Sequence, residues 1–169
     1  TLDLLKKLEA ERKLEALSKL AENLAESQEK LAEQTEKLQQ PTDPNEAEKL
    51  AQEQQKLGEE MKSLERQLEE LPGTEALKPM EQQLDKMKSE LGKPSEESKQ
   101  AQEKLEQNSP PEASKIQRPL GKQLRKLSQS LSQMASQMQG MQRKEMLAQI
   151  EALVEEFAEA TQRLDRLRE

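Results

Sequence analysis

Any chemistry in this sequence has to come from hydroxyls, amides, carboxylates and amines. The chain has no His and no Cys, which removes the commonest general base, the commonest transition-metal ligand and every thiolate site. A nucleophile would have to be a Ser or an acid activated by Lys or Glu, and no spacing sets one in a cleft. The five glycines, at 58, 73, 92, 121 and 140, never cluster into a phosphate-cradling loop. Acid pairs such as Glu69-Glu70 and Glu96-Glu97 are capable of touching a hard cation but lack the ligand spacing of a binding loop. A solvated helix face accounts for them. The expectation is a chain that is not an enzyme, with no catalytic residue, no cofactor and no metal.

Three constellations remain that could carry recognition. Gln28 and Gln54 fall at equivalent positions on two hydrophobic seams. Polar residues buried in a seam fix register and partner choice, so the two amides either meet across an antiparallel pair or are tolerated, partly exposed, in an imperfect seam. Residues 108–144 hold seven basic residues against the single acid Glu112, and Lys115, Arg118, Lys122 and Arg125 share one helical stripe. A basic helix over 113–126 suits anionic lipid or nucleic acid. With no aromatic platform and a net charge of −7, pairing with acidic neighbours inside the chain is the stronger expectation, and no nucleic-acid partner is expected. Ser128 to Gln142 carries no charge at all. Its small residues Ser128, Ser132, Ala135 and Ser136 allow close helix approach, and Met134, Met138 and Met141 supply adaptable contacts. That tract is either the central helix of a bundle, the favoured reading, or a docking surface for a missing partner.

The elements that must position these residues are helical. Charged residues make up 36% of the 169 and apolar ones 31%, and Phe157 is the only aromatic. Without large side chains the core must be thin seams of Leu, Met, Ile and Ala, so an elongated shape is expected. Leu14, Leu17, Ala21, Leu24, Gln28, Leu31, Thr35 and Leu38 step by three and four, a heptad pattern. Leu4, Leu5 and Leu8 lie out of register with it. A turn with two prolines, Gln40 to Asn45, precedes a second seam: Ala47, Leu50, Gln54, Leu57, Met61, Leu64, Leu68 and Leu71. The two helices resemble each other at a shift of 26 residues, since Ala21-Glu22 matches Ala47-Glu48 and Gln28, Lys30 and Leu31 match Gln54, Lys56 and Leu57.

Residues 74–107 read as two shorter helices. The first is capped by Thr74, begins near Lys78 with Pro79 at its first position, and stops at Gly92 and Pro94. The second has only Ala101 and Leu105 as anchors. Ser109-Pro110-Pro111-Glu112 reads as a capping box, and its helix carries Ala113, Ile116, Leu120, Leu124, Leu127, Leu131, Met134, Met138 and Met141. Two consecutive steps of four around Pro119 and Gly121 imply a kink or a shift of face. A turn is expected at Gly140. Then comes a last seam of Met146, Ile150, Leu153, Phe157, Ala160, Leu164 and Leu167, which Leu147 and Val154 widen towards more than one neighbour. The organisation that follows is a long helical hairpin over 1–71, two short helices over 74–107 and two long helices over 109–169. These form an all-α antiparallel bundle or array of hairpins with coiled-coil-like seams. Opening on Thr1 and closing within a helical pattern at Glu169, the chain reads as part of something larger.

Leu17-x-x-Leu20-Ala21-x-x-Leu24-Ala25-x-x-Gln28-x-x-Leu31, the spacing of Ala101, Leu105 and Ala113, and the Met/Gln tract before Leu147-x-x-Ile150 together resemble a known group. It consists of large bacterial membrane-anchored proteins in which membrane helices precede a long Gln- and Met-rich helical region. The group brings no established biochemical activity. The resemblance implies a membrane-tethered, extracytoplasmic location, with the membrane reached only through an anchor outside this sequence. The functional expectation is a scaffold or protein–protein interaction segment that engages a partner or itself. The alternative is an amphipathic module that docks on anionic membrane or nucleic acid through the basic helix 113–126.

Overall fold

A computed structural model describes residues 2–38, 43–71 and 75–168. The fold is all-α. Its elements are α1 (Leu2–Lys37), α2 (Pro44–Glu70), a 3-10 turn (Glu75–Met80), α3 (Glu81–Leu91), α4 (Pro94–Glu106) and α5 (Pro110–Arg168). The expected Gln40–Asn45 turn falls largely on residues outside the described set. Its end is visible: Asp43 caps α2 by accepting a 2.9 Å hydrogen bond from the Asn45 amide, with Pro44 in the first turn.

The helices form a ring of antiparallel neighbours, α1 against α2, α2 against α4, α4 against α5 and α5 back against α1. Paired contacts show the direction: along α1 and α5, Ser18 meets Ser128, Glu29 meets Arg125 and Glu36 meets Arg118, and along α2 and α4, Gln54 meets Ser98 and Glu65 meets Ser95. This is an up-down-up-down bundle. The two arms of the expected hairpin do run antiparallel, but the longest contact of α1 is with α5, not with α2. At the other end of the bundle the 3-10 turn and α3 take over the place of α4, with Leu77, Met80, Leu84 and Met87 buried against α1, α2 and α5.

Several local expectations change. Pro79 lies inside the 3-10 turn and α3 starts only at Glu81; proline lacks the amide hydrogen that an α-helical interior needs, so the α-helix begins after it. Thr74 lies outside the described residues. Glu112 directs its carboxylate to Lys104 at 2.9 Å rather than back to the start of its helix. The junction of α4 and α5 is closed by a Schellman arrangement instead. Asn108 adopts φ 56°, its amide donates to Leu105 O, and the Ser109 amide donates to Lys104 O.

Gly140 makes no turn. One helix runs from Pro110 to Arg168, roughly 90 Å at ~1.5 Å per residue, so the two long helices expected over 109–169 are one. A lone glycine costs a helix only about 1 kcal/mol. The Met, Gln, Arg, Lys and Glu residues around Gly140 favour helix, and no proline stands nearby to stop it.

Candidate functional site

The buried part of α5 explains the irregular step in its seam. Ile116 is only half-buried, whereas Gln117 is 0% exposed. With Gln117 in the seam the buried positions run Ala113, Gln117, Leu120, Leu124, Leu127, Leu131, Met134 and Met138. These are alternating steps of four and three, so the expected shift of face disappears and the helix continues through Pro119 and Gly121.

Placing Gln117 on the inside brings three glutamines together. Gln28 Nε2 donates to Gln54 Oε1 at 3.0 Å, and Gln54 Nε2 donates back to Gln28 Oε1 at 2.9 Å. Gln117 Nε2 donates to the same Gln54 Oε1 at 2.9 Å. Gln54 Nε2 also reaches Ser98 Oγ at 2.7 Å, and that hydroxyl lies 3.2 Å from Gln54 O. All four side chains are buried. Each of α1, α2, α4 and α5 thus contributes one polar side chain to a single cross-section, with Gln54 at its hub. Gln117 Oε1 is buried and accepts from no protein group.

The layer divides the core. On one side lies the larger cluster, including Leu14, Leu24, Met61, Leu64, Leu124 and Leu131. On the other lies a smaller one of Leu31, Leu50, Ala51, Leu105 and Ala113. Two glycines, each four residues after a layer glutamine, let the backbones approach. A Cβ on Gly58 would stand 2.9 Å from Ser98 Oγ, and one on Gly121 would stand 3.0 Å from Glu29 Cγ. The apolar heptad period marks Gln28 and Gln54 as seam positions but marks neither Gln117 nor Ser98. The Gln-x-x-x-Gly spacing shared by 54–58 and 117–121 is the signal that could have pointed to Gln117. Nothing comparable marks Ser98.

The basic stripe of α5 faces the acidic side of α1. Arg125 makes a two-pronged contact with Glu29, Nε to Oε1 at 3.0 Å and Nη2 to Oε2 at 2.6 Å. Arg118 pairs with Glu36, which also accepts from Ser114 Oγ at 2.8 Å. The Arg125 hydrogen bonds hold the Glu29 carboxyl below its ordinary value near 4.5, and Arg118 and then Ser114 do the same for Glu36. Carboxylates with depressed folded pKa values stabilise the protein above 4.5, and that contribution is lost as the pH falls through the lower folded values. The melting temperature is therefore expected to drop between about pH 5 and about pH 3. The double variant Glu29→Gln/Glu36→Gln should start lower and fall less steeply. Parallel acid limbs in the two proteins would show that these clamps add nothing.

The uncharged tract divides. Met134 is 3% and Met138 1% exposed, beside Ser128, Leu131 and Ala135, and Ser18 Oγ donates to Ser128 O at 2.9 Å across the α1–α5 contact. Those two methionines are core, so they offer no docking surface within this fold. Ser132 and Ser136 face outwards, so the tract is buried on one face rather than several. Met141 is 42% exposed because the inner face passes from Met138 to Gln142, one turn on, and leaves Met141 to one side. Nothing in the structure explains why the outer face of this tract lacks charge.

Beyond Glu145 the helix leaves the bundle. Lys7, one turn before the buried Ala10, reaches Glu145 at 2.7 Å and Asp3 at 2.8 Å. This polar contact closes the α1–α5 seam. Past it Met146, Leu147, Ile150, Leu153, Val154 and Phe157 are all exposed, Phe157 by 73%, and Leu4 and Leu5 on α1 lie open nearby in the sequence of pairing. The neighbours that the wide last seam led one to expect are absent among the described residues. The arm from 146 to 168 extends roughly 35 Å at ~1.5 Å per residue.

The chain is an all-α antiparallel bundle with a polar layer through its core and an arm whose apolar face past Glu145 is exposed among the described residues. No protein-family model, curated protein or solved structure matches the chain.

Proposed function

We propose that this chain is a non-enzymatic scaffold or protein–protein interaction segment whose docking element is the α5 arm. The observation that carries the reading is the open apolar stripe from Met146 to Phe157 on a helix whose preceding turns are fully engaged in the bundle. Contiguous exposed apolar surface of this kind marks an interaction site. The polar side of the arm gives the partner class. Residues 145–159 hold five acids and no base, which repels anionic lipid and phosphate backbones and leaves protein as the fitting partner. The amide layer then has a scaffold role, fixing the register of four helices so that the arm leaves the bundle at a defined point.

The basic surface of 113–126 is less suited to anion docking, because Arg118 and Arg125 are committed to Glu36 and Glu29. A membrane-tethered, extracytoplasmic location remains part of the proposal on the strength of the Gln- and Met-rich resemblance. No helix among the described residues is long and apolar enough to cross a membrane, so a tether would lie elsewhere.

The test is binding to anionic phospholipid vesicles and to a single-stranded oligonucleotide across a salt series. No salt-dependent binding to either is expected. Saturable binding that Lys115→Glu/Lys122→Glu abolishes would replace the proposal with the basic-surface reading.

A further inference from the structure

Resting on the arm as the docking element, we infer that its occupant is the arm of a second copy of this chain, antiparallel and staggered so that Glu156 of each copy faces Arg163 of the other. The stripe is a seam of the coiled-coil type, with Ile150 and Phe157 at one core position of the heptad and Met146, Leu153 and Ala160 at the other. Both flanking positions on one side, Leu147 and Val154, are apolar. Most helical stability in proteins comes from packing of an amphipathic face, and this face is uncovered among the described residues. The seam is regular enough to be covered by another like it.

The charge pattern along the arm selects the arrangement. The arm is acidic over 145–159, and beyond it Arg163 and Arg166 flank Asp165; Arg163 lies 3.4 Å from Glu159 of its own helix, an exposed i, i+4 pair that a second copy's Glu156 would compete with. Parallel pairing would set the acidic stretch of one copy beside that of the other, which is unfavourable. Antiparallel pairing centred near residue 155 would face Glu156 with Glu156. Moving the two-fold axis to lie between Ala158 and Glu159 faces Phe157 with Ala160 of the other copy. The same shift sets Glu156 opposite Arg163 twice, once on each side of the axis, and Val154 opposite Thr161. The contact is isologous, so it closes as a dimer and does not propagate.

Sedimentation of the full chain from low to high micromolar concentration tests this. A concentration-dependent monomer–dimer equilibrium is expected. Phe157→Asp should weaken it by about a hundredfold or more with an unchanged melting temperature for the monomer, since Phe157 touches nothing in the bundle. Glu156→Arg should weaken it by about tenfold, and Arg163→Glu on the same chain should restore it. The chain has no native Cys, so introduced thiols report the geometry. Phe157→Cys mixed with Ala160→Cys should cross-link faster than either variant alone. A monomer at every concentration, or Ala160→Cys linking fastest to itself, overturns the inference. A monomer that still exposes the arm leaves the docking role standing for another protein, so the two readings fail separately.

Discussion

Gln54→Ala is expected to destabilise the bundle by about 3–5 kcal/mol. Its side-chain carbonyl accepts from both Gln28 and Gln117, and its amide serves Gln28 and Ser98. Truncation leaves two buried amide donors without an acceptor, each costing about 1–3 kcal/mol, and opens a cavity at the hub. The informative control removes the whole layer. Gln28→Leu/Gln54→Leu/Gln117→Leu with Ser98→Ala replaces the network by side chains of similar volume and leaves nothing to desolvate. That variant should be as stable as the parent or more so. What it should lose is uniqueness of register, seen as broadened spectra or a mixture of association states. Urea unfolding reads both. A loss under about 1 kcal/mol for Gln54→Ala would mean the four groups do not share a dry layer.

The second large effect is at Leu31. It belongs to the smaller core cluster, where Leu50 and Leu105 are the other large buried side chains among the described residues. Leu31→Asp places an unpartnered carboxylate there, adding the cost of a buried charge to that of the lost leucine. About 5 kcal/mol is expected, comparable with the whole stability of a small domain, so the variant should be largely unfolded. Leu57→Asp should cost clearly less, because Leu57 is only half-buried and its carboxylate can turn to water. Far-UV circular dichroism melts separate the two. Equal melting temperatures would contradict the packing described for this end of the bundle.

The seams of α1 and α2 were legible because burial leaves a three-four period that composition cannot imitate. The meeting of Gln28 with Gln54 was legible as one of two alternatives, since an antiparallel pair brings a single position of a repeat, the one at its midpoint, against its own equivalent. Gln117 was not, because hydropathy favours the neighbouring Ile116, and only strict three-four alternation or the Gln-x-x-x-Gly spacing it shares with Gln54 picks the amide. The dominant α1–α5 contact was also hidden. A repeat reveals that two helices are alike, not that they are nearest neighbours, and Ser18, Glu29 and Glu36 carry no mark of the residues they meet more than seventy positions later. The arm shows a different limit. Its period from Met146 to Phe157 states that a face wants covering, but periodicity says nothing of whether the cover belongs to the same molecule. Gly140 compounded this by suggesting a turn that would have folded the last seam back onto the chain.

The bundle closes at Gln142 and Glu145, and the arm beyond is exposed among the described residues. Hydrogen exchange on dilute, demonstrably monomeric protein reads that boundary. The expected result is slow exchange for residues 10–35, 47–68 and 113–138, with the layer residues 28, 54 and 117 among the slowest. A sharp loss of protection should begin near residue 146 and continue to the end of α5. Rapid exchange across Ser128 to Met138, or protection of the arm in the monomer as strong as that of the core, would contradict it.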